Sequence, residues 1–543
     1  MYKMFFLNNF NKKFSKFITP IHSLITRRRT QDEKEYLNSE LLILQDINLL
    51  MDTPTITPRC FNIEKLHEYS VDVVKVSLIK CDGKPIYVIN EPRLPLHLKE
   101  AVLYSIEKYL EEYNINPLYE QNDILNYLID VIEKHEGIKD ISTQQYNLLI
   151  YYLQKLLSGY GPLYPLLNDD YVEDITYEGS NTPIAVYHKL FSEYRWIDTN
   201  IVLSNDYATK IALILSYKIG QPLSITNPYA EGLTYDGHRV SLTLGNELTL
   251  RGTTIVIRRR PSHILTIVDL IKNNMLSLEQ AAYLMYLIEH QYSILIVGGV
   301  ASGKTTLLRT LLMLIPHNAK IITIEDTPEL QLPHTHWDPL IVRRPRQANT
   351  DILNEIEMLT RIALRRRGDY LVIGETRGRE ARLLVQASTL GYGSLTTFHA
   401  NSVEAAITRL TSPPISLKRE SLATAFNVVM LLGKTYLPGR GYIRRVFGIF
   451  ELTNNSIIEV FHWRRENDVH IPTNIAEVCS KSLRLKELAE ITNKRMNDIM
   501  EDILLRREFI HELIERNIRD PADIVNMVTK FYNNIYARGN AGP

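Results

Sequence analysis

The chain has 543 residues, a length that predicts two to four domains. Hydrophobic residues make up 45% and charged residues 23%, as in soluble globular proteins. Lys and Arg together number 62, and so do Asp and Glu. The chain therefore has no excess positive charge that would attract nucleic acid or an acidic partner to the whole molecule. No apolar run approaches the roughly 18 residues that a membrane span needs.

The cysteines are Cys60, Cys81 and Cys479, which lie far apart and form no CxxC pair. Such spacing gives no sign of a zinc site or a disulfide framework, and it favours a reducing compartment. The sequence therefore predicts neither feature.

Residues 1–30 are basic and rich in phenylalanine, and they contain no acidic residue. They lack the continuous apolar core and the small-residue cleavage site of a signal peptide. A basic aromatic segment can lie on an anionic membrane surface, and a solvated tail is the equal alternative.

The chain is predicted to consist of five parts, residues 1–60, 61–150, 151–265, 266–470 and 471–543. The first is a basic extension and the last is helical, because its apolar residues recur at helical spacing. In the second and third parts the predicted elements are strands at Val71–Ile79, Ile86–Ile89 and Ile255–Arg260 and a helix at Leu96–Tyr113.

The fourth part alternates short apolar runs with helical segments. Ser277 and Gln280 form a capping-box signature, which predicts a helix start. Strands are predicted at Ser293–Val297, Lys320–Ile324, Tyr370–Ile373 and Ser394–Phe398, and helices at Asp351–Arg366 and Glu380–Leu390. Such alternation of buried strands and helices indicates an α/β fold with a parallel, doubly wound sheet.

A glycine-rich segment after the first of these strands fits the pattern G-x-x-x-x-G-K-[ST]. In such a loop successive backbone N–H groups face phosphate at a helix N-terminus. Lys304 is predicted to reach the β- and γ-phosphates of ATP, and Thr305 to bind Mg²⁺. The nucleotide-binding residues are predicted to be Gly298, Gly299, Val300, Ala301, Ser302, Gly303, Lys304, Thr305 and Thr306.

Acidic residues follow two of the other predicted strands. Glu375 ends one strand, where a carboxylate can hold the water shell of Mg²⁺. Glu325, Asp326 and Glu329 end another, and one of them is expected to orient the attacking water, although spacing does not decide which. His399 ends a further strand, where it could sense the γ-phosphate by hydrogen bonding.

These motifs resemble, in order, the four boxes of the type II and type IV secretion ATPase superfamily, the motors of secretion systems, type IV pili and archaeal surface filaments. The boxes are the Walker A loop (residues 298–305), an Asp box (residues 323–329), a Walker B box (residues 369–378) and a His box ending at His399. Further segments, such as those at residues 236–240 and 363–369, resemble the archaeal branch.

The resemblance implies a RecA-like P-loop core in residues 266–470, preceded by an N-terminal α/β domain. By matching position Glu329 takes the role of the catalytic glutamate, Glu375 that of the Walker B carboxylate and His399 that of the histidine beside the γ-phosphate. Members of the family also direct arginines of the N-terminal domain towards phosphate, and the matching stretches contain Arg239, Arg251 and Arg258. In the His box, Tyr392 stands where the family usually has a histidine.

The implied function is that of a homohexameric, Mg-ATP-dependent motor that acts on a polytopic membrane platform protein, in the cytoplasm at the inner face of the cell membrane. Residues 61–150 are then a partner-docking region, and residues 151–265 contribute to the nucleotide interface. A nucleic-acid translocase is the alternative, although the neutral composition argues against a nucleic-acid partner. A small-molecule phosphotransferase has no support, because no substrate lid is recognisable.

Overall fold

The computed structural model describes residues 50–113, 121–134, 141–180, 182–261, 263–342, 352–454 and 456–539. The chain divides into two units, Met1–Ser262 and His263–Pro543. The predicted basic segment, residues 1–30, lies outside the described residues. Within these ranges no helix combines the length and the apolar character needed to cross a membrane.

The first unit is built on one sheet of nine described strands. In chain order they are β1 (Ile63–Val71), β2 (Val74–Cys81), β3 (Lys84–Asn90), β4 (Val172–Tyr177), β5 (Pro183–His188), β6 (Trp196–Val202), β7 (Tyr229–Leu233), β8 (Arg239–Thr243) and β9 (Thr254–Arg258). Their spatial order is β1-β2-β3-β6-β5-β4-β9-β8-β7. Neighbouring strands are antiparallel except for the parallel pair β3–β6.

The helices of the first unit pack on this sheet around one hydrophobic core, whose buried residues run from Leu50 to Ile257. The helices are α1 (Leu96–Tyr113), α2 (Gln121–Lys134), α3 (Thr143–Ser158), α4 (Tyr164–Asn168) and α5 (Asn205–Lys218). Residues of the predicted second and third parts therefore share a core and a sheet, and the five-part division remains a prediction.

Two cysteines of the first unit are joined, contrary to the prediction from their spacing. A disulfide links Cys60 and Cys81. Cys81 ends β2, and its strand partner Ile63 begins β1 only three residues after Cys60. The strand register brings the two cysteines together, and the 21-residue separation in the sequence does not reveal that register.

The second unit contains a second sheet of nine described strands. They are β10 (Ile294–Gly298), β11 (Ile321–Glu325), β12 (Trp337–Ile341), β13 (Tyr370–Thr376), β14 (Gly393–Phe398), β15 (Val428–Leu437), β16 (Gly441–Leu452), β17 (Ile457–Arg464) and β18 (Val469–Ile471). The order is β12-β11-β13-β14-β10-β15-β16-β17-β18. From β12 to β15 neighbouring strands are parallel, which confirms the predicted parallel sheet, and from β15 to β18 they are antiparallel.

Helices lie on both faces of this sheet. They are α6 (Ile267–Lys272), α7 (Leu278–Glu289), α8 (Lys304–Leu312), α9 (Ile352–Ala363), α10 (Glu380–Thr389), α11 (Val403–Thr411), α12 (Arg419–Ala425), α13 (Ile475–Lys481), α14 (Leu483–Thr492), α15 (Met496–Glu515) and α16 (Pro521–Gly539). Alternate residues of β10 enter two separate cores, Ile294 and Ile296 in one and Leu295 and Val297 in the other. The doubly wound architecture is confirmed, as are the helix that Ser277 caps and the helical character of the C-terminal region.

Candidate nucleotide-binding site

The glycine-rich loop connects β10 to α8, and its backbone requires glycine at two positions. At Gly298 an added Cβ would lie 2.5 Å from Ser302 Oγ and 2.8 Å from Leu432 O, too close for any side chain. Gly303, immediately before α8, has a φ of 95°, in the left-handed region that favours glycine. The loop therefore curls tightly against the middle of β15, at Leu432.

The start of α8 offers backbone donors to an anion. No side chain accepts a hydrogen bond at its N-cap, Gly303, so the first N–H groups of the helix lack a capping side chain. Thr305 and Thr306 are the second and third residues of the helix, and Val300 at the tip of the loop is 83% exposed. Unpaired N–H groups and the helix dipole together favour a phosphate at this position.

Lys304 lies inside the loop rather than in solvent, with 8% of its surface exposed. Its Nζ donates to Gly298 O at 2.9 Å and Gly299 O at 2.8 Å, and it lies 3.3 Å from His399 Nδ1. Burial lowers the pKa of the Lys304 ammonium. The charge is thus held by carbonyl oxygens and one imidazole, partners that phosphate oxygens can replace.

His399 links the loop to the Walker B carboxylate. Its Nε2 lies 3.2 Å from Glu375 Oε1, so Nε2–H donates to the carboxylate while Nδ1 accepts from Lys304. Burial, and next the positive charge of Lys304, lower the pKa of His399. The ends of β10, β14 and β13 therefore bring Lys304, His399 and Glu375 together, as expected of neighbouring parallel strands.

The acidic residues after β11 differ in their surroundings. Glu325 is buried, and its Oε1 accepts hydrogen bonds from the backbone N–H groups of Glu329 and Leu330, both at 3.0 Å. Burial raises the pKa of Glu325 to about 7. The Glu329 side chain, in contrast, is exposed. Glu325 thus holds the loop that carries Glu329, a distinction that the spacing in the sequence did not provide.

The donors expected to hold Mg²⁺ suit that ion. Among the described residues no three His, Cys, Asp or Glu side chains cluster into a metal site. Mg²⁺ in nucleotide enzymes keeps several waters and binds one or two protein oxygens together with phosphate oxygens. The Thr305 hydroxyl at the start of α8 and the Glu375 carboxylate, joined to Lys304 through His399, supply donors of this kind.

Comparisons with known proteins agree with this geometry. Residues 226–438 match the family described as type II/IV secretion system protein. Protein MJ0900 of Methanocaldococcus jannaschii is 31% identical over 402 residues, covering 72% of this chain and 71% of its own length. The chain belongs to the type II/IV secretion ATPase superfamily.

Two further relatives match over shorter stretches. MJ1287 of the same organism is 37% identical over 254 residues, which are 45% of this chain and 90% of that protein. The type IV secretion system protein VirB11 of Bartonella henselae is 27% identical over 290 residues, 47% of this chain and 80% of that protein. The family predicted from the four boxes is thus confirmed.

The three arginines considered for this secretion ATPase lie in the first unit, where the structure brings two of them together. Arg239 on β8 and Arg258 on β9 are direct cross-strand partners. Arg239 donates to Glu231 at 2.7 and 3.0 Å, and Arg258 donates to Asp174 at 3.0 Å.

Arg251 is exposed and lies in the β8–β9 connection, near the opposite ends of these strands. There it lines an open cleft of about 580 Å³ with Ser180, Thr182, Asn205, Asn246 and Leu250. The structure therefore separates Arg251 from the other two arginines.

Arginines of the second unit also border the site, although the sequence analysis assigned them no role. Arg377 donates to Glu375 and lies 3.5 Å from Asp326 Oδ2. Arg409 donates to the backbone oxygen of His399 and lies 4.9 Å from the Phe398 ring. Arg377 lies just beyond the end of β13 and two residues after Glu375, and this proximity to the Walker B carboxylate in the sequence is the signal that could have identified it.

Tyr392 does not reach this site from the His-box position. Its hydroxyl donates to Leu364 O at 3.2 Å, after the end of α9, and its ring lies close to Gly368. In this secretion ATPase the residue in place of the usual histidine therefore packs the α9–β13 connection.

Proposed function

We propose that this protein is a hexameric motor that hydrolyses Mg-ATP to power assembly of a type IV pilus-like filament, or protein secretion, through a polytopic membrane platform protein. The observation that carries the proposal is the continuous set of contacts from the loop carbonyls through Lys304 and His399 to Glu375. Such a set joins phosphate binding to the carboxylate beside the metal position.

Each side chain has a distinct task in this proposal. Lys304 exchanges its carbonyl partners for β- and γ-phosphate oxygens, and the N–H groups at the start of α8 bind the same phosphates. Glu329, exposed on the loop that Glu325 holds, orients the attacking water. His399 forms a hydrogen bond with the γ-phosphate. When bound at Thr305 and Glu375, Mg²⁺ would neutralise charge on the phosphates.

The arginines of the first unit support an assembled ring, and the number of six subunits rests on the family resemblance. Arg377 of the core pairs with Glu375 and Asp326, and phosphoryl-transfer enzymes commonly add a further arginine that stabilises the developing negative charge on the γ-phosphate. We assign that role to Arg239, Arg251 or Arg258 of a neighbouring subunit. Head-to-tail contacts of this kind close into a ring when their rotation permits it.

The platform protein and the membrane location rest on the family and on residues 1–30. The relative from Bartonella henselae is named as part of a type IV secretion system. A motor that works there acts from the cytoplasm at the inner face of the membrane, and the basic segment offers an additional contact with anionic lipid.

Hydrolysis by the full chain is the test. Phosphate release with ATP and Mg²⁺ should rise more than in proportion to protein concentration, because the active site is completed by assembly. Lys304→Ala should abolish turnover, whereas Lys486→Ala, at an exposed position on α14, should leave it unchanged.

Three results would contradict parts of the proposal. Normal turnover by Lys304→Ala would refute the ATPase assignment. Activity strictly proportional to concentration, with a monomer in solution, would refute the ring. Stimulation by DNA, but not by membranes that contain the platform protein, would favour the nucleic-acid translocase.

A further inference from the structure

A two-stranded ribbon stands beside the phosphate loop. β15 pairs with β10 as far as Leu432, which lies opposite Gly298, the last residue of β10. Residues 433–437 continue past this point, turn, and return as residues 441–446 of β16. At about 3.3 Å per residue, the ribbon extends roughly 16 Å beyond the end of β10.

One face of this ribbon carries two tyrosines and two cations. Lys434 pairs with Arg444 across the strands, and Tyr436 pairs with Tyr442, so all four side chains share one face. The tyrosines are 52% and 50% exposed. Lys434 Nζ lies 4.8 Å from the Tyr442 ring, and the two tyrosine rings meet edge to face at 5.6 Å. No carboxylate occurs among these four residues.

Arg444 joins this face to the phosphate loop. Its Nε donates to Ala301 O at 2.9 Å. Its Cδ lies 3.5 Å from the position of a Cβ at Gly303, the residue that precedes α8. The face with Lys434, Tyr436 and Tyr442 is therefore the face turned towards the loop, and it is continuous with the loop.

The opposite face of the ribbon is fixed to the second unit. Phe447 covers Gly433 so closely that a Cβ there would lie 1.9 Å from its ring, and Phe447 stacks on Trp463 at 5.3 Å. Arg445 is buried and pairs with Asp468 at 2.7 Å. The ribbon is thus held at its base on one side and leaves its aromatic face open on the other.

We propose that this open face binds the nucleoside half of ATP, an inference that rests on the proposed ATPase function. Tyr442 contacts the base through its ring, and the free N–H groups of Arg444 contact the ribose or the α-phosphate. The loop from Gly298 to Thr306 has no aromatic side chain. It can bind the phosphates, but it offers no ring on which the base could stack. An exposed ring beside cations suits a base and its phosphate, since bases stack on aromatic side chains.

The test compares ATP with inorganic tripolyphosphate, which has no nucleoside. Affinities of the full chain for both are measured by competition against a fluorescent ATP analogue. Tyr442→Ala should weaken ATP binding about fivefold or more and leave tripolyphosphate binding unchanged. Tyr442→Phe should bind ATP like the wild type. Tyr104→Ala, which removes a 40% exposed tyrosine on α1 of the first unit, is the matched control.

Several outcomes would overturn the inference. Unchanged ATP affinity in Tyr442→Ala, or an equal loss for both ligands, would show that the ring does not contact the nucleoside. A loss of assembly with intact nucleotide binding would assign the face to a neighbouring copy of the chain. Lys304→Ala should weaken the binding of both ATP and tripolyphosphate. If it weakens the binding of neither, the proposed ATPase function is wrong, whatever the ribbon binds.

Discussion

The phosphate site of the second unit and the arginine pair of the first unit are held in opposite ways. Lys304 is 8% exposed, and its ammonium is surrounded by loop carbonyls and His399. The side chains of Arg239 and Arg258 are 39% and 67% exposed, and they pair with Glu231 and Asp174 at the sheet surface. The lysine of the phosphate site is buried within a hydrogen-bonded set of groups, whereas the two arginines lie at the surface of their sheet.

This difference in burial determines how much free energy each side chain loses when it leaves its present partners. Exposed ion pairs contribute about 0–1 kcal/mol, so Arg239 and Arg258 can leave their acids for a phosphate at little cost. A buried charge that loses its partners is penalised far more strongly, so Lys304 moves only when a ligand replaces them. In the proposed motor, the phosphate site is formed within one chain, and the arginines would be supplied by a neighbouring one.

The largest expected effect is the restoration of activity by mixing subunits. Lys304→Ala and the double variant Arg239→Ala/Arg258→Ala should each be inactive, because a charge-stabilising arginine is worth roughly 10³- to 10⁵-fold in rate. Mixed rings contain interfaces where an intact loop meets intact arginines, so phosphate release should partly return.

The mixing experiment has an internal control, because Arg251 lies at the opposite ends of the strands. The Arg251→Ala variant is tested in the same way, and recovery with it alone would transfer the role to Arg251. No recovery with either variant, despite demonstrated co-assembly, would mean that the arginines act within one chain or not at all.

The second prediction concerns Glu325, a buried acid of the second unit. Its pKa is raised from the usual 4.5 to about 7, so the folded state favours the protonated form. The free energy of unfolding should therefore fall as pH rises from about 4.5 through 7. This loss amounts to at most about 3 kcal/mol. Glu325→Gln keeps an acceptor for the two N–H groups and should remove this part of the pH dependence.

Urea unfolding at pH 5 and pH 8 measures this effect. Glu329→Gln serves as the matched control, because its side chain is exposed and its loss should leave the wild-type pH dependence in place. If Glu325→Gln shows the same pH dependence as the wild type, the acid is not buried as a protonated group in solution.

The parallel sheet and the phosphate loop were predictable from the sequence because their signals are local. Short apolar runs predicted β10, β11, β13 and β14, since a strand buried on both faces is apolar at every position. The loop motif required only neighbouring residues, and a parallel sheet necessarily places the ends of such strands at one edge. The contacts among Lys304, His399 and Glu375 follow from this rule.

Features that depend on strand register could not be predicted. The antiparallel ribbon of β15 and β16 places Arg444 beside Ala301, 143 residues away in the chain. Register also determines that Arg239 faces Arg258 and that Cys60 meets Cys81. A single sequence does not reveal which of several pairings buries the most surface. Glu325 and Glu329 could not be told apart from the sequence either, because they differ in burial: Glu325 is buried and Glu329 is exposed.

The third prediction distinguishes these two acids in catalysis. Glu329→Gln should bind ATP normally but hydrolyse it at least roughly tenfold more slowly, a barrier increase of about 1.4 kcal/mol or more. Glu375→Gln should show a loss of the same kind. Single-turnover phosphate release, with ATP affinity measured separately, provides the comparison. Normal turnover in Glu329→Gln together with slow turnover in Glu325→Gln would make Glu325 the better candidate.

The smallest expected effect is the contribution of the surface ion pairs to stability. Arg258→Ala removes a 67% exposed side chain that meets Asp174, and it should change the free energy of unfolding by no more than about 1 kcal/mol. Urea unfolding of the variant beside the wild type at low and high salt measures this contribution.

Arg445→Ala is the contrasting variant, because that arginine is 3% exposed and its loss leaves Asp468 without its main partner. It should cost several kcal/mol. If Arg258→Ala costs as much as Arg445→Ala, the arginine is fixed within its own sheet. It would then not be free to leave Asp174 for a phosphate on another subunit.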